Sequence, residues 1–325
     1  MHGETVPHNN DHVVSTDIRT LVIGGAGFIG THLVSALLGT GRSVTVLDKN
    51  DSSFSSLPPE ASRVAGDFGE PGLIRKLLLS HEEVIHLAYA SVPNTSFENP
   101  LADLLENLPP TLQLFAEAAG ARRKVLFVSS GGTVYGEAVT LPIREGHPTK
   151  PISPYGVTKL TLEHYAHLFG TTQGLHYTCV RPANAFGPGQ KPFTGQGFIA
   201  TALASVLRGD RINIFGQRGT MRDYIYVSDL VEGIVGVLEK GHSGQTYNIG
   251  SGVGRSNMDV IEAIGSVMNG SNNAISVEHL PERPFDVKTN VLDTTALREH
   301  TGWEPRVDFN DGLARTWSWL REQYG

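Results

Sequence analysis

Tyr155 and Lys159 are the pair in this sequence whose types and spacing are suited to proton transfer. They lie four residues apart in the stretch 153–159, Ser-Pro-Tyr-Gly-Val-Thr-Lys, so a helix would place both side chains on one face. A nearby ammonium stabilises a phenolate and lowers a tyrosine pKa from its usual value of about 10. Such a phenol can exchange a proton with a substrate hydroxyl near neutral pH. An ordinary amphipathic helix is the alternative, since Tyr-x-x-x-Lys also occurs by chance.

A glycine-rich turn near the N-terminus predicts a pyrophosphate site. Gly24, Gly27 and Gly30 follow the apolar run at 21–23 and precede apolar residues at helical spacing in 33–38. Between a strand and a helix, glycines permit a tight turn, close approach of the backbone to phosphate and close packing of the helix. The N-terminus of the helix then presents free N–H groups to the anion. A glycine-rich turn that binds nothing is the alternative.

A second strand and an acidic residue indicate which dinucleotide is bound. The run 43–47, Ser-Val-Thr-Val-Leu, follows at the distance of a βαβ unit and ends at Asp48. An acid about 20 residues beyond the glycines is placed to accept hydrogen bonds from an adenosine ribose. A carboxylate there would repel a 2′-phosphate, so NAD is favoured over NADP. With NAD present, Lys159 can also hold the nicotinamide ribose near Tyr155.

Strands and helices alternate along the first half of the chain, and this order predicts a parallel sheet with right-handed crossovers. Ligands in such sheets bind beyond the carboxyl ends of the strands. The predicted strands end at Gly24, Asp48, Asp67, Ala88 and Ser129, so these residues should converge on one crevice. The expected fold class is α/β, a Rossmann-type doubly wound parallel sheet.

The pattern of elements changes after the Gly-Pro-Gly at 187–189. Shorter strands and helices beyond it predict a smaller C-terminal α/β lobe that closes over the crevice. The first 17 residues are polar and lack the apolar core of a signal peptide. We therefore expect a flexible tail at 1–17, an NAD-binding Rossmann domain at 18–185 and a mainly substrate-binding lobe at 186–325.

Composition excludes several classes of partner. The net charge of −7 and the lack of a basic run argue against nucleic acid. The single cysteine, Cys179, lies in an apolar run, which indicates a buried residue in a reduced, cytoplasmic setting. No apolar run reaches the length of a membrane-spanning helix, so no membrane is expected, and we assign no metal.

Several motifs together resemble those of one enzyme family. The combination of Gly-Gly-Ala-Gly-Phe-Ile-Gly at 24–30 with Tyr-x-x-x-Lys resembles the extended short-chain dehydrogenase/reductases. More narrowly, it resembles their NAD-dependent sugar epimerase/dehydratase branch. The resemblance covers residues 19–324. It includes His-Leu-Ala at 86–88, Ser-Ser-Gly-Gly-Thr-Val-Tyr-Gly at 129–136, Arg-Pro-Ala-Asn at 181–184 and Arg-Asp-Tyr-Ile-Tyr-Val at 222–227.

The resemblance implies roles for residues around NAD. Asp67 and Phe68 would flank the adenine, and Asn107 would support the site from its helix. Members of the family are commonly dimers that pair the helices containing Asn107 and Tyr155, so a homodimer is expected. The implied cofactor contacts are Gly24, Gly27, Phe28, Ile29, Gly30, Asp48, Lys49, Asp67, Phe68, Leu87, Ala88, Tyr89, Asn107, Ser129, Tyr155 and Lys159.

One position departs from the family pattern. The catalytic hydroxyl of the family sits four residues before the tyrosine of Val-Tyr-Gly, and counting back from Tyr135 reaches Gly131. A hydroxyl from Ser130 or Thr133 can substitute. We favour Thr133, because the glycine pair before it leaves room for its side chain to reach the sugar. The alternative is that both hydroxyls only cap the end of the strand.

The resemblance implies hydride transfer coupled to proton transfer. Nicotinamide would take hydride from a carbon while Tyr155 takes the hydroxyl proton, and return of the hydride to the other face of the rotated keto sugar gives epimerisation. The dehydratases of the family carry Asp-Glu directly before Val-Tyr-Gly. This chain has Gly132 and Thr133 there, so dehydration is disfavoured. A net reductase would prefer NADPH, which Asp48 disfavours.

The expected substrate is a nucleotide sugar of carbohydrate metabolism, for example of cell-surface polysaccharide. By resemblance it is a UDP-hexose, either the glucose/galactose pair or the N-acetylated pair. Arg222 and Arg283 would clamp the diphosphate, since guanidinium binds phosphate in bidentate fashion. Asn184 would contact the diphosphate or the sugar, and Phe215 would line the same site. Asn290, seven residues past Arg283, occupies the position that limits hexose size in UDP-hexose 4-epimerases, and its moderate volume would admit an acetamido group.

Two other functions stay open from the sequence. One is a different nucleotide-sugar epimerase or a 4,6-dehydratase. The other is a non-enzymatic NAD-sensing protein. A sensor would be expected to lack Tyr155 or Lys159, and both are present.

Overall fold

The computed structural model describes residues 18–49, 51–70, 72–268, 275–283 and 286–325. The tail predicted at 1–17 lies outside the described residues. The strands are β1 (Arg19–Ile23), β2 (Ser43–Asp48), β3 (Ser62–Ala65), β4 (Glu83–His86), β5 (Lys124–Val128), β6 (His176–Pro182), β7 (Asn184–Phe186), β8 (Arg211–Phe215), β9 (Met221–Tyr226), β10 (Thr246–Ile249), β11 (Gly254–Ser256), β12 (Ser276–Leu280) and β13 (Thr289–Asn290). The helices are α1 (Phe28–Gly39), α2 (Leu73–Leu79), α3 (Pro93–Glu98), α4 (Pro100–Ala121), α5 (Pro154–Gln173), α6 (Phe198–Arg208), α7 (Val227–Lys240), α8 (Asn257–Val267), α9 (Thr295–Thr301) and α10 (Phe309–Tyr324).

Seven parallel strands form the central sheet in the order β10-β6-β5-β4-β1-β2-β3. Val22 in β1 lies opposite Val46 on one side and Ile85 on the other, so apolar residues run across the middle of the sheet. From β1 the strand order runs outward in one direction to β3 and in the other through β4. The order therefore reverses beside β1, and ligands of such sheets bind at this point. The predicted Rossmann-type α/β fold is confirmed.

Helices cover both faces of this sheet, because successive side chains of a strand point to opposite faces. Val22 belongs to one buried cluster together with Leu33 of α1 and Leu230 of α7. Ile23, the next residue of β1, belongs to a second cluster together with Phe115 of α4. Short apolar strands that are buried on both faces are typical of parallel sheets.

The second lobe is built from shorter strands and three helices. Strands β11, β9 and β13 lie side by side, β7 also pairs with β9, and β12 pairs with β8. Helices α6, α8 and α10 supply Leu203, Ile264 and Leu313 to the buried cluster of this lobe. The expected smaller C-terminal α/β lobe is therefore present.

Two elements beyond residue 185, β10 and α7, belong to the central sheet and its covering helices rather than to the second lobe. Strand β10 pairs with β6 in parallel and completes one edge of the central sheet, with Thr246 opposite Cys179. Helix α7 packs against α1 on one face of the same sheet. The residues of β10 do not indicate which strand β10 pairs with, because β6 lies far back in the chain. The sequence pattern therefore did not reveal this pairing.

Helix α4 continues through Pro109 and Pro110. The two prolines predicted a bend or a break, because each removes a backbone donor and clashes with the preceding turn. A break is not observed. On the buried side of the helix, Thr111 Oγ1 donates to the carbonyl of Asn107 at 2.7 Å. The helix therefore carries Asn107 and the residues on either side of it on one rigid element.

Candidate active site

A cavity of about 1300 Å³ lies where the carboxyl edge of the central sheet faces the second lobe. It brings together most of the residues that the sequence predicted. Asp67 and Asn290 are the predicted site residues that do not line it. The predicted residues that line it are Gly24, Gly27, Phe28, Ile29, Gly30, Asp48, Lys49, Phe68, Leu87, Ala88, Tyr89, Asn107, Ser129, Ser130, Thr133, Tyr155, Lys159, Asn184, Phe215, Arg222 and Arg283.

The glycine turn forms a cradle that side chains would fill. A Cβ added at Gly24 would lie 2.6 Å from the backbone nitrogen of Ala88, and one at Gly30 would lie 2.6 Å from Cα of Gly25. Helix α1 begins directly after Gly27, has no side-chain cap and has no acidic residue in its first turn. Its N-terminus is therefore available to an anion, and the cradle fits the pyrophosphate of NAD.

The end of β2 completes the dinucleotide side of the cavity. Asp48 Oδ2 accepts a hydrogen bond of 3.1 Å from the backbone of Ala26 in the glycine turn. Lys49 Nζ lies 2.9 Å from Asp67 Oδ2, which draws this carboxylate toward the lysine. Phe68 lines the cavity, whereas Asp67 does not. The predicted contact of Asp67 with adenine stays a prediction.

Asn107 supports the loop that follows β4. Its Oδ1 accepts a hydrogen bond of 2.8 Å from the backbone of Ala90, and its Nδ2 donates to the carbonyl of Asp103 at 2.7 Å. The backbone N–H groups of Leu87 and Ala88 donate to the carbonyl of Ile23. These bonds hold the loop against the sheet. The position of Asn107 agrees with the supporting role that the resemblance implies.

Helix α5 brings Tyr155 and Lys159 into the cavity. The N-cap residue Ser153 accepts a hydrogen bond of 3.1 Å from the backbone of Gly156. Lys159 Nζ donates to the carbonyl of Val128 at the end of β5, at 2.8 Å. The same nitrogen lies 5.6 Å from the ring centroid of Tyr155. The spacing of four residues therefore places both groups on one face of the helix, as predicted.

The electrostatics of this pair differ from the prediction. Burial is the main cause that raises the pKa of Tyr155 above its ordinary 10, and the charge of Asp103 acts in the same direction. Burial lowers the pKa of Lys159 to about 7. The expectation that Lys159 lowers the pKa of Tyr155 is wrong for this arrangement, because desolvation of the phenolate outweighs a lysine that is directed at a backbone carbonyl.

Ser130 and Thr133 both line the cavity, but their hydroxyls have different surroundings. A hydrogen bond from Ser130 stabilises the ionised form of Tyr155 and so opposes the rise in its pKa. Thr133 Oγ1 is buried, and it has no hydrogen-bond partner in the described part of the chain. The effect of Ser130 on the pKa of Tyr155 thus favours Ser130 as the hydroxyl beside the tyrosine, although the sequence favoured Thr133.

Gly131 points away from the cavity. A Cβ built on it would lie 2.6 Å from Leu292 Cδ1 and 2.9 Å from the carbonyl oxygen of Arg181. Asn290 is 2% exposed, and its Nδ2 donates to the carbonyl of Gly131 at 2.9 Å. Asn290 therefore lies behind the Gly-Gly turn, and the structure does not place it beside the expected sugar position.

The predicted substrate residues of the second lobe face the other end of the cavity. The guanidinium of Arg283 stacks 3.9 Å from the ring centroid of Phe215, and its Nε donates to Asp286 at 2.8 Å. Arg222 forms no ion pair within 4.0 Å among the described residues. Burial lowers its pKa below the ordinary 12.5. A partly buried arginine without a carboxylate partner is suited to an anionic ligand.

Sequence reasoning missed a buried carboxylate near Tyr155 and Lys159. Asp103 is 3% exposed, and it accepts hydrogen bonds from the hydroxyls of Ser91 and Thr158. The sequence contained an indication of this residue. Asp103 and Asn107 are four residues apart on α4 and therefore share the buried face of that helix. Among the described residues, no group of three or more His, Cys, Asp or Glu side chains could hold a metal ion. None of the described helices is long and apolar enough to cross a membrane.

The fold and the cavity define a class: a dinucleotide-binding α/β protein with a tyrosine–lysine pair at the carboxyl edge of its sheet. The chain belongs to the NAD dependent epimerase/dehydratase family, whose model matches residues 20–250. The family resemblance and the NAD cofactor predicted from the sequence are thereby confirmed, and the protein is an NAD-dependent enzyme.

Relatives of two activities align with nearly the whole chain. It is 34% identical to the UDP-glucose 4-epimerase of Mycolicibacterium smegmatis, over 94% of this chain and 99% of that protein. It is 31% identical to a dTDP-glucose 4,6-dehydratase of Xanthomonas campestris pv. campestris, over 92% of each chain. The structure of the UDP-glucose 4-epimerase of Thermotoga maritima with UDP-glucose superposes with a TM-score of 0.88 at 33% identity, over 95% of this chain and 100% of that one.

Proposed function

We propose that this protein interconverts the C4 epimers of a UDP-hexose. The supporting observation is the cavity wall formed by Gly132 and Thr133, which carries no carboxylate at those two positions near Tyr155. Elimination of water requires an added acid and base, whereas epimerisation requires one group that takes and returns a proton. Relatives of both activities align at similar identity, so overall similarity does not choose between them.

The residues of the chain supply binding and proton transfer. The glycine cradle and the N-terminus of α1 would hold the pyrophosphate of NAD, and Asp48 would hold the adenosine ribose. Bound NAD would accept a hydride from the sugar and return it. Tyr155, once ionised, would take the proton of the C4 hydroxyl and become a neutral phenol, and it would give the proton back after the keto sugar has rotated. Ser130 would hold that hydroxyl beside Tyr155, and Lys159 would stabilise the transient phenolate and hold the nicotinamide ribose.

The second lobe would bind the nucleotide diphosphate. Arg222 and Arg283 are cations that line this end of the cavity. Asn184 also lines the cavity and lies near the Gly-Gly turn, since its Oδ1 would be 3.3 Å from a Cβ at Gly132. Phe215 offers an aromatic face under Arg283. Both the glucose/galactose pair and the N-acetylated pair fall within the proposal. Asn290 would affect the choice of hexose indirectly, through the carbonyl of Gly131.

A homodimer is the proposed assembly. Helices α4 and α5 pack together, and α4 exposes Leu101, Leu104 and Leu105 to 65%, 40% and 54%. Val157 on α5 is 50% exposed. Large apolar side chains that are grouped on the outer surface of two adjacent helices are typical of a protein interface. Two copies that pair these helices would bury that surface.

The test is a direct comparison of products. We expect the purified protein with NAD to convert UDP-galactose to UDP-glucose, or the N-acetylated pair, to an equilibrium mixture measured by nuclear magnetic resonance. Incubation with dTDP-glucose should give no 4-keto-6-deoxy sugar. A steady yield of that keto sugar would overturn the proposal and assign a dehydratase. The Tyr155→Phe variant, assayed in parallel, controls for contaminating enzymes.

A further inference from the structure

Asp103 is a buried carboxylate that the proposed reaction does not use. It lies on α4, is 3% exposed and faces the loop after β4 and the helix α5. No arginine, lysine or histidine pairs with it within 4.0 Å in the part of the chain that the structure describes. A buried charge without a cation in contact is costly unless several donors satisfy it.

Hydroxyl groups surround this carboxylate. Thr158 Oγ1 on α5 donates to Asp103 Oδ2 at 2.7 Å, and the hydroxyl of Ser91 donates to Oδ1. The hydroxyl of Tyr89 lies at 3.5 Å from Oδ2, at the outer limit of a hydrogen bond. Thr158 immediately precedes Lys159, and Tyr89 lines the cavity. The carboxylate therefore ties the loop after β4 to α5, the helix that carries Tyr155 and Lys159.

The ring of Tyr89 stands between Lys159 and the groups around Asp103. Lys159 Nζ lies 4.0 Å from the centroid of the Tyr89 ring, a cation–π distance. The ring of Tyr89 meets that of Tyr155 edge to face, with centroids 4.7 Å apart. An ammonium, two aromatic rings and a carboxylate thus form one packed cluster.

Other charged and titratable groups also face Lys159. Glu163 on α5 is the competing counter-charge, but its carboxylate accepts hydrogen bonds from Arg181 Nε, at 3.0 Å, and from Ser129, so a guanidinium already neutralises it. Among the described residues, the titratable groups that act on Lys159 or respond to it are His86 on β4, Tyr89 after β4, Asp103 on α4, Tyr155 and Glu163 on α5, and Cys179 on β6. Asp103 is the carboxylate of this set that no described cation pairs with.

We propose that Asp103 is a positioning residue that places a negative charge beside the cluster of Lys159, Tyr89 and Tyr155 and holds Tyr89 and Thr158 around Tyr155. The inference rests on the proposed function for the roles of Tyr155 and Lys159. The negative charge of Asp103 favours the protonated states of Lys159 and Tyr155. The carboxylate opposes the desolvation that lowers the pKa of Lys159.

The test measures the titration of Lys159 without any sugar. Protein with carbon-13-labelled lysine is titrated with pH and followed by nuclear magnetic resonance, with and without NAD. The lysine signal that is lost in the Lys159→Arg variant is assigned to Lys159. In Asp103→Asn, removal of the charge should lower the pKa of Lys159 by about one unit, the effect of one nearby charge. Thr158→Val is the matched control, because it removes a hydrogen bond to Asp103 and keeps the charge. Its titration should match the wild type.

Three results would overturn the proposal. The first is an unchanged pKa of Lys159 in Asp103→Asn, and the second is an equal shift of that pKa in Thr158→Val. The third is that Asp103→Asn and Asp103→Ser both fail to fold while Thr158→Val folds, because the carboxylate would then serve stability alone. The rate profile gives a second measurement: kcat/KM of Asp103→Asn should shift to lower pH by about one unit. Failure of the proposed function would show as absent epimerase activity with the lysine titration still shifted.

Discussion

The side-chain amide of Asn290 donates a hydrogen bond of 2.9 Å to the backbone carbonyl of Gly131. The backbone N–H of Gly131 donates in turn to the carbonyl of Pro182, also at 2.9 Å. Both backbone groups of Gly131 are thus bound on its buried side. The turn that presents Ser130 and Gly132 to the cavity is held from behind by β6 and β13.

The first prediction concerns a hydroxyl introduced at position 131. Gly131→Ser should destabilise the protein by about 1–3 kcal/mol and should not raise turnover, because its Cβ would meet Leu292 and the carbonyl of Arg181 rather than the cavity. Chemical denaturation and the epimerase assay measure the two effects. Gly131→Ala is the control, since it adds the same Cβ without the hydroxyl and should destabilise the protein similarly. A stable and more active Gly131→Ser protein would contradict this placement.

The second prediction separates Ser130 from Thr133. Ser130→Ala should lower kcat by about 10²-fold, because the hydroxyl bonded to Tyr155 is lost. Thr133→Val is nearly isosteric and removes a hydroxyl that has no partner in the described residues, so its effect on kcat should be smaller. Steady-state kinetics of both variants decide the order. The reverse order would restore the role that the sequence assigned to Thr133.

The third prediction concerns the proton-transfer group. Tyr155→Phe should lose about 10²-fold or more in turnover, since the acid–base group is gone while the ring remains. Binding of NAD should persist, because the glycine cradle and Asp48 are unchanged. Calorimetry with NAD and the epimerase assay are the two measurements. Turnover near that of the wild type would remove Tyr155 from the mechanism.

The fourth prediction concerns the choice of dinucleotide. Asp48→Ala should weaken NAD by about 10-fold and strengthen NADP, because the carboxylate that would bind the ribose and repel a 2′-phosphate is removed. Dissociation constants of both dinucleotides provide the measurement. A wild type that prefers NADP would refute the role of Asp48.

The fifth prediction tests the assembly. The double variant Leu101→Glu with Leu105→Glu places two charges one helical turn apart on the exposed side of α4, and it should be a monomer in sedimentation experiments. Val139→Glu is the control, because Val139 is 81% exposed and lies outside α4 and α5. Wild-type protein that sediments as a monomer would refute the homodimer directly.

The sequence predicted what depends on local spacing. The glycine turn, Asp48 and the pair Tyr155 and Lys159 each follow a strand or share a helix face, so their places in the sheet could be anticipated. It did not predict the raised pKa of Tyr155, because desolvation depends on distant segments that pack around the phenol. Asn290 shows the same limit. Its distance along the chain from Arg283 says nothing about the side of β13 from which its amide points.

The return of β10 to the edge of β6 has a consequence for how the chain acquires its structure. Residues between these two strands leave the sheet, form β7, α6, β8 and β9 of the second lobe and come back before β10 can pair. Closing so long a loop costs chain entropy before the pairing contributes any stability, and such distant contacts slow folding. A fragment that stops at residue 185 would leave the outer edge of β6, which pairs with β10 in the whole chain, unpaired, and it would lack α7 over α1. Such a fragment is therefore exposed to edge-to-edge aggregation.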